Sequence, residues 1–288
     1  MKARGVVVVC AVLLLTGCTK TVVADDPAAA AASEAARARQ SVPTTAPTKA
    51  PPQPVTAPPQ PPMLAKNAIY GVGKLTANCP EPKVKPTSVA NVRAYYTQST
   101  ACLNAAWAPA IRKAGFTFTP PKLDIVAGRS PDLPCDADAY GIYCGDTIYV
   151  DAQVDLDEYR KDPELVRGWM AFVIAHEYGH HVQALTGMEK AAFDRRLRLN
   201  GVDLALEESR RYELQASCFG GVYVGADLAA FRKDPGWADL FAKVVGSTDD
   251  DGYDHGSTKN HAYWSMAGFR AASPAACNTF TATAAQVS

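Results

Sequence analysis

One stretch constrains the fold of this chain more than any other: Ala171-Phe172-Val173-Ile174-Ala175-His176-Glu177-Tyr178-Gly179-His180-His181-Val182-Gln183. Asp162-Pro163 reads as an N-cap followed by a first helical residue, and Gly187 as a C-terminal stop, so a single helix is predicted across it. Leu165, Val166, Trp169, Phe172, Val173 and Ile174 lie mostly on apolar faces, as in a helix buried in a core. Histidines and a glutamate are costly to bury there unless something satisfies them. His176 and His180 are four apart and share one helix face, so both imidazoles can reach one metal ion, and zinc suits them best. Glu177 follows the first histidine. It falls beside such an ion without being forced to bind it, where a general base for water belongs. The chain has only 5 histidines. His181 shares this helix, and His255 and His261 share one stretch near the C-terminus.

The start of the chain reads as a targeting segment over 1–18. Lys2 and Arg4 precede the apolar run Val6 to Leu15, which is too short to span a bilayer. Leu15-Thr16-Gly17-Cys18 resembles a bacterial lipobox, which implies lipid on Cys18 and an exported, membrane-tethered protein with its folded part in water. Residues 19–62 are rich in Ala, Pro and Thr and almost lack large apolar side chains. Such a segment cannot bury enough surface to offset its ordering entropy, and is expected to be a disordered stalk. Residues 63–288 then form one domain, with length enough for a real core. Lys+Arg and Asp+Glu balance at 29 each, and no basic patch stands out, so nothing points to nucleic acid.

Within that domain a helix is expected over Val89 to Ala114, broken or kinked near Pro109, and a strand over Leu123 to Ala127. Ala139 to Cys144 and Thr147 to Val150 flank Gly145-Asp146, which suits a tight hairpin with Gly in the first central position. The second of these strands precedes the histidine helix and is a candidate sheet edge for an extended peptide. Further helices are expected over Ala191 to Asn200 as a cover, over Glu207 to Val224 with a softened end at Gly220-Gly221, from Asp234-Pro235 to Val245, and from Ser257 or Thr258 to about Ala271. A catalytic zinc usually has three protein ligands. Glu213, which opens Glu-Leu-Gln-Ala in a helix able to cross the first, is the leading third ligand, with Asp203, Glu207, Glu208 and His255 competing.

Several pieces together resemble the bacterial neutral zinc metallopeptidases. They are Val173 to Gln183; Glu213-Leu214-Gln215-Ala216 followed by Cys218-Phe219-Gly220-Gly221-Val222-Tyr223; Tyr143-Cys144 followed by Tyr149-Val150-Asp151; and His255-Gly256. They stand in that family's order, roughly from Cys135 to Phe269. The resemblance implies a zincin-like α+β domain, mainly helical, with a small β-sheet beside the histidine helix. It implies one zinc on His176, His180 and Glu213, with Glu177 as base. Two departures stand out. The family usually has Asp where this chain has Ser217, four residues after Glu213 and on the same helix face, where a carboxylate would hold a ligand histidine by its second nitrogen. The stretch Ser257-Thr258-Lys259-Asn260-His261 lacks the family's usual arginine.

The expected activity is zinc-assisted hydrolysis of peptide bonds in a peptide or protein substrate at the cell envelope. Glu177 carries the proton, and His255 is the first choice for stabilising the oxyanion, with Tyr253, His261 and Tyr223 behind it. Ser217 keeps open an alternative, a weak or inactive lipid-anchored scaffold that retains the fold. A hydrolase of esters or cell-wall amides is a third reading, because the motif specifies the water and not the bond. Six cysteines remain after Cys10 and Cys18, an even number that suits disulfides in an exported protein. Cys135–Cys144 is expected across the hairpin, and Cys79–Cys102 and Cys218–Cys277 follow by proximity and elimination.

Overall fold

The computed structural model describes residues 57–128, 135, 140–227, 236–248 and 253–288. The expected signal segment with Cys18, residues 19–56 of the expected stalk, the Asp234-Pro235 cap and the acidic run Asp249 to Asp251 lie outside the described residues. The described part is mainly helical with one small sheet, an α+β arrangement. Among the described residues no helix is long and apolar enough to cross a membrane.

A short helix, α1 (Pro62–Ala65), is followed by a single turn at Ala68–Gly71 and by the long helix α2 (Val89–Lys113). Ser88 caps α2 by accepting from the Asn91 N–H. The expected break at Pro109 does not occur, and α2 runs through it. Pro109 deprives the Ala105 carbonyl of its helical partner. Both residues are exposed, so water can take that carbonyl.

Three strands follow: β1 (Lys122–Val126), β2 (Gly141–Cys144) and β3 (Thr147–Asp151). The sheet order is β1-β3-β2, with β1 parallel and β2 antiparallel to β3. The strand expected at the edge, β3, is therefore the middle one, and β2 is the edge beside the histidine helix. The two-residue turn also differs. Gly145 and Asp146 both have positive φ, 53° and 72°, the double left-handed turn that matches hairpin twist and that Asp tolerates.

Helix α3 (Ala152–Tyr159) leads into α4 (Pro163–Leu185). Asp162 caps α4 by accepting from the Leu165 N–H, and Gly187, at φ 75°, follows its end, as the sequence predicts. Nearly every residue from Gly168 to Gln183 is buried. The neighbours are α5 (Met188–Arg196), α6 (Val202–Ala226), α7 (Trp237–Val245) and α8 (Thr258–Ala271, capped by Ser257). Trp107 of α2 packs edge-on against Phe219 of α6, and the Tyr178 hydroxyl of α4 donates to Asn104 of α2 at 2.7 Å.

Small residues set how closely these helices meet. A Cβ on Gly179 of α4 would lie 2.5 Å from the Ala216 carbonyl of α6. A Cβ on Gly220 would lie 3.1 Å from the Ala175 and His176 backbone, and one on Gly221 would run into the Ser265 carbonyl of α8. The expected softening at Gly220-Gly221 is thus absent: α6 continues to Ala226, and the glycines admit neighbouring backbones.

Disulfides join Cys79 to Cys102, Cys135 to Cys144 and Cys218 to Cys277, with Cα separations of 5.8, 6.3 and 5.5 Å. The last ties α6 to the turn at Pro274–Cys277. At the other end, buried Arg195 of α5 donates to the Pro58 and Pro59 carbonyls at 2.6 and 3.1 Å, and pairs with Glu208 of α6.

Candidate metal centre

Helix α4 turns His176 and His180 to one side, with their Nε2 atoms 3.2 Å apart. The close crossing of α4 and α6 brings Glu213 to the same point. Its Oε2 lies 3.0 Å from His180 Nε2 and 3.4 Å from His176 Nε2. Two wider donor sets overlap this one, His176–Glu213–His255 and His176–Glu177–His180, each within 4.8 Å. The tightest set is the one that fits a metal: tetrahedral ligands at about 2.1 Å from zinc stand about 3.4 Å from one another. The other nitrogen of each imidazole is also engaged. His180 Nδ1–H donates to Gln183 Oε1 at 2.8 Å, and His176 Nδ1 lies 2.9 Å from Ser217 Oγ.

Glu177 is buried beside the cluster, and β2 runs along it. A Cβ on Gly141 would lie 3.2 Å from Glu177 Oε1. The Asp151 N–H bonds to the Tyr140 carbonyl. By alternation, the Gly141 and Tyr143 backbone groups then face the edge that no other described strand covers. Burial raises the Glu177 pKa to about 7, against the opposing pull of His180 and the Tyr143 N–H. Burial also works against the Glu213 carboxylate, yet His180, His176 and His255 hold its pKa well below the usual value. Burial lowers His180 too, but Glu213 overrides it and raises its pKa to about 9. Burial dominates at His176, bringing it to about 4. Glu213 thus favours the charged form of His180, and burial favours the neutral form of His176.

His255 lies on the exposed side, with Nε2 3.5 Å from Glu213 Oε2 and Nδ1 2.7 Å from Asp254 Oδ1. It borders a cavity of about 300 Å³ with His176, Glu177, Phe172 and Gly141. A larger cavity of about 580 Å³, under Pro80 to Pro86, holds none of the donor atoms. Of the other oxyanion candidates, Tyr253 is exposed, and the Tyr223 hydroxyl faces Asp227. His261 stands behind His176, with its Nε2 3.1 Å from Ser217 Oγ. His181 turns away, as its position one past His180 predicts. Its Nε2–H donates to the Thr119 carbonyl at 2.8 Å, and its Nδ1 accepts from the Tyr143 hydroxyl at 3.2 Å. The competing ligands are engaged elsewhere: Glu207 pairs with Arg211, and Glu208 with Arg195. Asp203 lies in the first turn of α6, nearly three turns before Glu213.

Three neighbours had escaped the reading of the sequence. Gln183 backs His180, Tyr212 stacks on it at 4.6 Å between ring centroids, and Gln215 accepts from Gln183 at 3.0 Å. Gln183 was visible as the residue three past His180, on its face; the other two depend on how α6 crosses α4.

Residues 85–234 match a family described as "Putative neutral zinc metallopeptidase". The Escherichia coli K12 protein named "Uncharacterized protein YpfJ" is 32% identical over 196 residues, covering 60% of this chain and 66% of that protein. "Uncharacterized protein Mb2605" of Mycobacterium bovis is 29% identical over 134 residues, covering 38% of this chain and 44% of its own. This chain thus spans at most 66% of the length of these relatives. No solved structure matches it.

Proposed function

The chain belongs to the neutral zinc metallopeptidase family, and on that premise we propose that it is a zinc-dependent endopeptidase of the cell envelope. His176, His180 and Glu213 would hold the metal, which when bound supplies a Lewis acid that polarises a carbonyl and acidifies water. Glu177 takes the proton of the attacking water and passes it to the leaving amine. His255 donates to the carbonyl oxygen as negative charge develops there. The outer edge of β2 suits an extended peptide, since Gly141 and the Tyr143 carbonyl would offer backbone groups beside Glu177. The single observation that carries this reading is the convergence of three donor atoms, 3.0–3.4 Å apart, next to a buried carboxylate.

The three disulfides suit an extracytoplasmic protein. With them we propose the organisation read from the sequence: a signal segment over 1–18 that is cleaved before Cys18, lipid on Cys18, a stalk over 19–62 and the catalytic domain over 63–288. A second reading, a lipid-anchored binding protein without turnover, is favoured by one observation: the group behind His176 is the uncharged Ser217.

The test is metal content followed by hydrolysis of unstructured peptides. One zinc per chain is expected, lost or weakened in His176→Ala and in Glu213→Ala. Glu177→Gln should keep zinc and lose hydrolysis. An absence of zinc after reconstitution would sink the metal centre. Zinc without hydrolysis in the native chain would favour the binding protein.

A further inference from the structure

Behind His176 a chain of hydrogen bonds runs from the cluster to the end of α7. His176 Nδ1 lies 2.9 Å from Ser217 Oγ, Ser217 Oγ lies 3.1 Å from His261 Nε2, and His261 Nδ1 lies 3.0 Å from the Val245 carbonyl. All three side chains are buried, Ser217 at 1% exposure. The fold holds them there by two contacts. Gly221 lets α8 rest on α6, which brings His261 to Ser217, and the Phe172 ring meets the His261 ring edge-on at 5.2 Å.

The directions of these bonds follow from their far end. A backbone carbonyl only accepts, so His261 Nδ1 must carry a hydrogen. Burial disfavours the charged form of His261, so its Nε2 is bare and accepts. Ser217 has one proton and gives it to that nitrogen. Towards His176 its oxygen can then only accept, so His176 Nδ1 must be the protonated nitrogen. In the neutral ring His176 Nε2 is then the bare nitrogen, on the side of His180 and Glu213.

We propose that Val245, His261 and Ser217 set the tautomer of His176 before any metal arrives, and that His261 is a positioning residue for the metal centre acting only through Ser217. This rests on the metal reading above. It differs in what it asks of the residues: His261 contributes no ligand atom and acts on His176 through a serine. It also gives Ser217 a role of its own, because a hydroxyl with its proton committed elsewhere is an acceptor of fixed direction. The family match ends at residue 234, so Val245 and His261 lie outside the matched span.

The first test uses the unaltered full chain, stripped of metal by a chelator and labelled with ¹⁵N-histidine. Long-range ¹⁵N–¹H correlation spectra should show His176 protonated on Nδ1 and bare on Nε2. The opposite tautomer, or an even mixture, overturns the proposal whether or not the chain later proves to bind zinc.

The second test is zinc affinity by competition with a chromophoric chelator. Ser217→Ala and His261→Phe should each weaken zinc by about 10–100-fold, the usual effect of removing a partner behind a ligand histidine. The double variant should be no weaker than Ser217→Ala alone, since His261 acts through the serine. His261→Gln, whose amide oxygen can accept the serine proton, should stay within about threefold of the native chain. Native affinity in His261→Phe, or losses that multiply in the double variant, would overturn the proposal. A native chain that binds no zinc would instead sink the metal centre, leaving the tautomer measurement to decide this inference.

Discussion

The two candidate ligand histidines of α4 are supported in different ways. Behind His180 stands an amide chain. Gln183 receives its Nδ1–H and donates to the Tyr212 carbonyl at 2.8 Å and to Gln215 at 3.0 Å; Gln215 in turn donates to the Cys277 carbonyl at 3.0 Å. Behind His176 stands a hydroxyl and a second imidazole, ending on the Val245 carbonyl. Neither chain uses a carboxylate, and both end on a backbone acceptor. The first begins within α4 itself, three residues on, and is fastened by the Cys218–Cys277 disulfide. The second exists only because α8 packs on α6. Local sequence therefore supports one imidazole, and tertiary packing supports the other.

The most damaging way to break this comparison is to strike both chains at once. Gly179→Ala would place a methyl 2.5 Å from the Ala216 carbonyl and push α6 off α4. We expect a loss of stability of about 1–3 kcal/mol. Zinc affinity should fall by about 100-fold as Glu213 withdraws from both histidines. Chelator competition and thermal unfolding check it; native affinity would mean that the helix crossing does not set the donor spacing.

Gln183→Leu should sharpen the contrast with less damage. It removes the acceptor behind His180 and strips buried Gln215 Oε1 of its donor. Stability should fall by about 1–3 kcal/mol, and zinc affinity by roughly 10–30-fold. Unlike His261→Phe, it should act without Ser217, so combining it with Ser217→Ala should multiply the losses. A double variant no weaker than either single one would mean that the two chains work as one.

Much of this site was legible in the sequence, and the division follows the same line. The ends of α4 were readable from Asp162-Pro163 and Gly187, because capping chemistry is local. Cys135–Cys144 was readable from the hairpin and the other two pairs by proximity and elimination, and Glu213 was readable as a helical carboxylate, though four other residues competed with it. Gly220-Gly221 misled: glycine lowers helix propensity, but tight packing against the backbones of α4 and α8 outweighs about 1 kcal/mol per residue. Pro109 misled likewise, since the carbonyl it deprives faces water. The exchange of β3 for β2 as the edge strand arises from the parallel pairing of β1, which no local signal carries. His261 stood out as a histidine near the C-terminus, but its place behind His176 needed α7, α8 and α6 together.

A third buried polar chain completes the comparison, because it ends differently. The Tyr96 and Tyr140 hydroxyls lie 3.1 Å apart, and Tyr140 donates to Asp155, which is fully buried and whose Oδ2 has no partner among the described residues. Burial raises the Asp155 pKa to about 7, although the hydrogen bonds from Tyr140 and Tyr96 pull it down and Asp151 adds to the rise. The folded state thus binds a proton that the unfolded chain has already released. The stability that Asp155 contributes is greatest below about pH 4, falls as pH rises towards 7, and levels off above it; its limiting slope is about 1.4 kcal/mol per pH unit. Glu177, also raised to about 7 by burial, adds a slope of its own in the zinc-free chain, so the informative quantity is a difference between two proteins. Asp155→Asn keeps an acceptor for Tyr140 and cannot ionise. By urea unfolding of zinc-free protein, it should gain about 1–3 kcal/mol on the native chain between pH 4 and 7.5. Zinc affinity should not change, because Asp155 reaches the site only through Tyr140 at the start of β2. Parallel pH profiles would mean that Asp155 ionises in the folded protein at its ordinary pKa, so that this chain ends on a solvated charge rather than on a buried carboxyl.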